Sequence, residues 1–191
     1  MEIFLISAGV VALAEIGDKT QLLAFILAAR FKRPIPIILG IFCATLINHG
    51  VAGALGAWIT TVVSPAMMRW VLVVSFLGMA LWALVPDKID SGETVVTRHL
   101  GVFGATVVTF FLAEMGDKTQ IATVALAANY MAPYAVVAGT TVGMLIADVP
   151  AVFIGNKFSQ RIPLKLVRTV SAAIFAVMGL LALFGTEKLI S

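Results

Sequence analysis

The chain has 191 residues, of which 61% are hydrophobic and only 12% charged, and its mean hydropathy is +1.06. A soluble domain carries about 25% charged residues, so a soluble fold, a disordered chain and a nucleic-acid-binding protein are excluded despite the net charge of +3. Residues 34–68 and 119–147 contain no Asp, Glu, Lys or Arg, and each stretch exceeds the ~20 residues that span a bilayer. The composition predicts a polytopic membrane protein surrounded by lipid.

Apolar runs separated by charges and turn residues predict an all-α fold with six transmembrane helices. The predicted spans are residues 3–29, 35–62, 68–86, 101–128, 134–156 and 164–186. Residues 87–100 carry charges of both signs and predict a linker between two halves. The first residues lack a basic segment, which argues against a cleaved signal peptide. The lone Cys43 lies in an apolar run and indicates a small core residue rather than a disulfide or thiolate metal site.

Apart from Lys19 and Lys118, which lie within the first and fourth spans, the positively charged residues are concentrated on one side of the membrane. Nine of them fall in the connections 1–2, 3–4 and 5–6, and two fall on the other side. The positive-inside rule therefore predicts cytoplasmic placement of those three connections, including the linker, and extracytoplasmic termini. The nine are Arg30, Lys32, Arg33, Lys88, Arg98, Lys157, Arg161, Lys165 and Arg168, and the two are Arg69 and Lys188.

The two halves of the chain repeat each other at an offset of 99 residues without a gap. Residues 13–21 read LAEIGDKTQ and residues 112–120 read LAEMGDKTQ, and the match continues with Pro34 at Pro133 and Gly40 at Gly139. Because each half has an odd number of spans, the second half enters the membrane from the opposite side. The sequence predicts repeat 1 over 1–86, the linker over 87–100 and an inverted repeat 2 over 101–191, with a substrate site near the midplane.

Acidic side chains inside the predicted spans are the main functional signal, since each costs ~2.5–3.5 kcal/mol at a helix centre. In a continuous helix Glu15 and Asp18 lie about 60° apart on one face, and Glu114 and Asp117 repeat this pair. On antiparallel helices the two faces can meet, which predicts one metal site with four carboxylates. Like charges this close require compensation by a cation or by protons.

Two lysines, Lys19 and Lys118, lower the charge of this cluster to −2, which one divalent cation or two protons would balance. This arithmetic favours cation/proton exchange. A structural alternative is that Glu15–Lys19 and Glu114–Lys118 form simple ion pairs at i,i+4 spacing.

The motif glycines and the polar residues that follow them leave further alternatives open. Gly17 and Gly116 either permit close helix packing or let the helix unwind so that carbonyl groups face the ion. The neutral side chains either supply ligand oxygens or form interhelical hydrogen bonds; they are Thr20, Thr119, Gln21 and Gln120.

The sequences of the predicted helices 2 and 5 indicate a second layer of polar residues, which are candidates for lining an ion path. His49 aligns with Asp148 at the repeat offset, and Asn48 is adjacent. Pro150 has no N–H, so the carbonyl of Ile146 loses its helical partner beside Asp148. Each of these residues also has a purely structural interpretation as a packed or hydrogen-bonded group.

A carboxylate-rich site suits the hard cations Mg²⁺, Ca²⁺ and Mn²⁺, and physical reasoning does not choose among them. No bound cofactor is expected beyond the transported ions.

The segments EIGDKT and EMGDKT resemble the signature E-x-G-D-[KR]-[TS] of the GDT family, which includes the Golgi manganese/calcium transporter and bacterial manganese exporters of the Mne type. The resemblance covers nearly the whole chain. It implies a six-helix cation/proton antiporter, and in this compact chain it points to Mn²⁺ export, with Ca²⁺ as a second substrate, across a bacterial plasma membrane. The motif positions it carries over are Glu15, Gly17, Asp18, Lys19, Thr20, Glu114, Gly116, Asp117, Lys118 and Thr119.

Two other classes remain as alternatives, a passive divalent-cation channel and a membrane-embedded metal-dependent phosphatase. Two similar acidic motifs on opposed repeats suit alternating access better than a continuous pore. A phosphatase would need Arg or Ser to hold phosphate, and no HExxH or GxSxG motif is present. Neither alternative predicts proton-coupled uphill metal transport.

Overall fold

The computed structural model describes residues 1–85, 100–154 and 164–184, and within these ranges it contains eight α-helices and no β-strand. The predicted all-α class is confirmed. The helices are α1 (Glu2–Glu15), α2 (Lys19–Phe31), α3 (Pro34–Val62), α4 (Pro65–Ala83), α5 (Gly101–Glu114), α6 (Lys118–Tyr130), α7 (Pro133–Ile154) and α8 (Leu164–Phe184).

The helix boundaries repeat with the sequence. The ranges of α1 and α2 recur in α5 and α6 at the offset of 99, and α3, α4, α7 and α8 begin at equivalent positions. Pro34 and Pro65 lie at the first turns of α3 and α4, where proline is tolerated because the N–H it lacks has no helical partner. Local sequence signals therefore set the same helix starts in both halves.

The spans predicted at 3–29 and 101–128 each consist of two helices, α1 with α2 and α5 with α6. Gly17 and Gly116 interrupt them with φ of 82° and 75°, a left-handed conformation that glycine adopts without steric cost. Of the two interpretations of the motif glycines, the structure agrees with local unwinding of the helix. The predicted 60° arrangement fails, since Glu15 ends α1 whereas Asp18 is the N-cap of α2.

Three of the described helices are long and apolar enough to cross a membrane, and they match the second, third and fifth predicted spans. These segments are Pro34–Val62, Ala66–Ala83 and Pro133–Phe153. Gly101–Glu114 and Thr169–Phe184 are shorter apolar helices. Large apolar side chains such as Trp58, Trp70 and Phe153 are exposed on the protein surface, as expected for a surface that faces lipid rather than water.

Glycines allow helices from different halves to pack closely. A Cβ at Gly139 in α7 would lie 2.4 Å from the carbonyl oxygen of Phe4 in α1, and one at Gly40 in α3 would lie 3.1 Å from that of Phe103 in α5. The two contacts are equivalent under the repeat offset. Small residues at such crossings let membrane helices approach each other, so the halves interlock rather than forming separate bundles.

Successive contacts give the relative direction of these helices. Along α7, Gly139 faces Phe4 and Gly143 faces Ala8, so α7 runs parallel to α1. Along α3, Gly40 faces Phe103, and eight residues later Asn48 donates a hydrogen bond to the carbonyl of Phe111. Helix α3 therefore runs parallel to α5.

Parts of the sequence prediction lie outside the described residues. These parts include most of the predicted linker 87–100, the ends of the spans predicted at 134–156 and 164–186, and five of the counted charges, Lys88, Arg98, Lys157, Arg161 and Lys188. Lys165 and Arg168 belong to the beginning of α8. Cys43 is a partly buried free thiol in α3.

Candidate cation site

Three carboxylates meet where the breaks of the two interrupted helices come together. Glu15 at the end of α1, Glu114 at the end of α5 and Asp117 at the start of α6 each place one oxygen within 4.8 Å of the others, and all three are buried. They are three of the four carboxylates that the sequence predicts for a metal site. Asp18, the fourth, does not belong to this group.

The two glutamates are held in the same way. The hydroxyl of Thr20 donates to Oε2 of Glu15 at 2.6 Å, and the hydroxyl of Thr119 donates to Oε2 of Glu114 at 3.0 Å. Oε1 of each glutamate is buried without a hydrogen-bond partner, which is costly for a carboxylate unless a cation or proton compensates it. Each threonine therefore orients a glutamate and leaves its second oxygen available for an ion.

The lysines connect the two halves. Nζ of Lys19 lies 3.3 Å from Oδ1 of Asp117, and Nζ of Lys118 contacts Oδ1 of Asp18. Both pairs link a lysine of one repeat to the aspartate of the other. The alternative of an i,i+4 pair between Glu15 and Lys19 is therefore wrong, since Lys19 contacts Asp117.

The two lysine–aspartate pairs differ in exposure. The side chain of Lys118 is 6% exposed, whereas that of Lys19 is 26% exposed, and both aspartate partners are buried. The two repeats therefore differ in how far their equivalent lysine side chains are exposed. Of these two lysines, Lys19 has the more exposed side chain.

The glutamines stabilise the helix breaks, a role that the sequence analysis missed. The amide oxygen of Gln21 accepts a hydrogen bond from the N–H of Gly17 at 3.0 Å, and that of Gln120 accepts one from Gly116 at 2.8 Å. Nε2 of Gln21 also donates to the carbonyl of Ala147 in α7 at 3.0 Å. The recurring Gly–Gln spacing of four residues was the available signal, because an unwound turn needs acceptors for its free N–H groups.

The predicted second layer is buried beside this cluster. Asp148 is fully buried, and neither of its oxygens has a hydrogen-bond partner. Its neighbour in the chain, Ala147, accepts the hydrogen bond from Gln21. His49 is also fully buried, with both ring nitrogens unpartnered. Asn48 differs, since it donates to the carbonyl of Phe111 at 3.1 Å. Pro150 lies inside α7, as the sequence indicates.

Four helix ends converge on the three carboxylates. The C-terminal ends of α1 and α5 carry partial negative charge and favour a nearby cation, whereas the N-terminal ends of α2 and α6 carry partial positive charge and favour the aspartates that cap them. All the charged donor atoms of the group are carboxylate oxygens. Such a site suits a hard divalent cation.

Comparison with known proteins identifies the family to which this arrangement belongs. The model of the family described as "Divalent cation/proton antiporter GDT1" matches residues 3–91 and 102–189. The chain belongs to the GDT1 family. The resemblance carried by the two motifs is confirmed, and the protein is a transporter rather than an enzyme, so the phosphatase alternative is wrong.

Curated relatives agree with this family membership. A Vibrio cholerae protein named "Putative manganese exporter" is 52% identical over 185 residues, which cover 96% of this chain and 92% of that protein. A GDT1-like protein of Synechocystis is 30% identical over 195 residues, covering 90% of this chain and 92% of the relative. GDT1-like protein 3 of Oryza sativa is 25% identical and is covered over 69% of its length. No solved structure matches the chain.

Proposed function

We propose that this GDT1-family protein exports Mn²⁺ from the cytoplasm in exchange for protons, by alternating access around the buried carboxylates. The observation that carries the proposal is the meeting of Glu15, Glu114 and Asp117 within 4.8 Å at two helix breaks. The manganese assignment is supported by the name of the Vibrio cholerae relative. We also propose placement in a bacterial inner membrane, where a protein that exports Mn²⁺ from the cytoplasm would act.

The proposed arrangement has six crossings, in which α1 with α2 and α5 with α6 each form one broken crossing. Only Lys32 and Arg33 separate α2 from α3, and so short a connection favours an antiparallel neighbour. Since α3 runs parallel to α5, the two broken crossings then run in opposite directions. This supports an inverted repeat with halves at 1–86 and 101–191 joined by a cytoplasmic linker, as in transporters that alternate access between such halves.

The proposed orientation places the α2–α3 connection in the cytoplasm. In a Cys43→Ser background, Arg33→Cys should react with an impermeant maleimide only from the cytoplasmic side, and Ser64→Cys only from outside. Both residues are exposed and lie at opposite ends of α3. Labelling of intact cells and of inside-out vesicles distinguishes the two sides, with the cysteine-free parent as the control. The reverse labelling pattern would overturn the orientation.

Charge balance supports the exchange of one divalent cation for two protons. Four motif carboxylates and two lysines leave a net charge of −2 in a buried region. Protons and Mn²⁺ compete for the same carboxylate oxygens, so acidification should weaken Mn²⁺ binding. A proton gradient can therefore drive metal transport in the opposite direction.

Inside-out vesicles containing the protein should accumulate Mn²⁺ above its external concentration when their lumen is acidified. Collapsing the pH gradient with a protonophore should release the accumulated metal, because the driving force is then lost. Vesicles containing the Glu15→Gln variant are the matched control. A passive channel would only equilibrate Mn²⁺ across the membrane, so the absence of uphill accumulation would contradict the proposal.

A further inference from the structure

We infer that in this conformation the cation binds asymmetrically, to Glu15, Glu114 and Asp117, while Lys118 keeps Asp18 out of the site. We further infer that Asp18 and Asp117 exchange these roles during transport. The inference rests on the proposed carboxylate site and specifies which ligands are used on each side of the cycle.

The first observation is the composition of the carboxylate group. Asp18 and Asp117 occupy equivalent positions of the two motifs, yet only Asp117 has an oxygen within 4.8 Å of both glutamates. Each glutamate also has a buried Oε1 atom without a hydrogen-bond partner. Three carboxylates with two open oxygens thus form a partial coordination shell, to which the second aspartate does not contribute.

The second observation is the unequal burial of the lysines. An ammonium group and a divalent cation compete for the same carboxylate, so the lysine must move away before its aspartate coordinates the ion. Lys19, which contacts Asp117, is 26% exposed and has space to move, whereas Lys118, which contacts Asp18, is 6% exposed. In this conformation the structure therefore favours release of Asp117 and retention of Asp18.

The sequence repeat makes the opposite arrangement accessible to the same chain. Exchanging the environments of the two halves would place Asp18 beside the glutamates, expose Lys118 and bury Lys19. Glu15 and Glu114 would remain ligands in both conformations, because each is the repeat equivalent of the other. The ion would then change one ligand as the site opens to the other side, and each lysine would neutralise the aspartate that is not in use.

Two matched double variants test this asymmetry, Asp18→Asn/Lys118→Met and Asp117→Asn/Lys19→Met. Each removes one lysine–aspartate pair and leaves the net charge unchanged. Mn²⁺ binding is measured by titration calorimetry on purified protein at fixed pH, together with export in inside-out vesicles. Single Asp18→Asn and Asp117→Asn variants provide a second comparison in which the lysines are retained.

The Asp117→Asn/Lys19→Met variant should lose Mn²⁺ affinity by roughly 10- to 100-fold or more. Removal of an outer-shell partner already costs a metal site this much affinity, and Asp117 is proposed as a direct ligand. We take the present conformation to predominate in the purified protein. The Asp18→Asn/Lys118→Met variant retains the three ligands of this conformation, so it should lose less than about twofold in Mn²⁺ affinity. Both variants should fail to export Mn²⁺, because each retains only one of the two arrangements that the cycle needs.

Equal weakening of binding in the two variants would overturn the inference and favour a symmetric site with four carboxylates. Normal export by Asp18→Asn/Lys118→Met would overturn the exchange of the aspartates. In either case the proposed function stands as long as the parent protein accumulates Mn²⁺ against its gradient. Failure of the parent in that assay would instead contradict the proposed function.

Discussion

Replacing either Glu15 or Glu114 by glutamine should reduce Mn²⁺ export to the level of vesicles that lack the protein. Glutamine can still accept the hydrogen bond from Thr20 or Thr119 through its amide oxygen. However, it removes the negative charge and places an amide group where Oε1 is now open to an ion. The local fold should persist while both cation binding and proton exchange are lost.

Export by each variant is measured in inside-out vesicles with an acidic lumen, and Mn²⁺ binding is measured between pH 6 and pH 8. Glu2→Gln is the matched control, because it removes an exposed carboxylate from the same helix, α1. The double variant should be little worse than either single variant, because the two glutamates act as one unit. Near-normal, pH-dependent export by either single variant would mean that the two repeats do not share a site.

Replacing Asp148 by asparagine should reduce export by about 10-fold or more, comparable to the loss of an outer-shell partner at a metal site. Asp148 is fully buried with both carboxylate oxygens unpartnered, so it gains little stability from its present contacts. A neutral amide costs less to bury than an unpaired carboxylate. The thermal stability of the variant should therefore equal or exceed that of the parent, which separates loss of transport from misfolding.

His49→Gln is the matched comparison for Asp148→Asn, since the two positions are equivalent under the repeat offset. We expect this substitution mainly to shift the pH dependence or ion preference of export and to reduce the maximal rate less. The measurements are Mn²⁺ export as a function of pH and competition by Ca²⁺. Parent-like transport by Asp148→Asn would show that the second layer is structural.

The sequence predicted most of the carboxylates that meet in the structure, but it did not predict their geometry. The duplicated motif predicted one group of four carboxylates, Glu15, Asp18, Glu114 and Asp117, because their spacing repeats without a gap, and the structure brings three of them together, without Asp18. The motif did not reveal that the helix ends at Glu15. A glycine is compatible both with a continuous helix and with a left-handed turn. The second outcome is accompanied at both motif glycines by a hydrogen bond from the glycine N–H to the amide oxygen of Gln21 or Gln120.

The lysines illustrate a second limit of reasoning from spacing. A lysine four residues after a glutamate on a helix suggests a local ion pair. Once the helix is broken between them, that spacing no longer places Lys19 beside Glu15. Lys19 instead contacts an aspartate nearly one hundred positions away in the chain.

By itself, the sequence determined the membrane character, the all-helical class, the repeat and the family, because hydropathy, helix starts and motifs are local properties of the chain. The tertiary structure decided which carboxylates meet, which lysine compensates which aspartate, and where the repeat symmetry is broken. These features depend on contacts between α1, α2, α5 and α6, which lie about 100 residues apart in pairs. Equivalent lysines of the two nearly identical motifs differ in exposure because the packing around each motif sets the environment of its side chains.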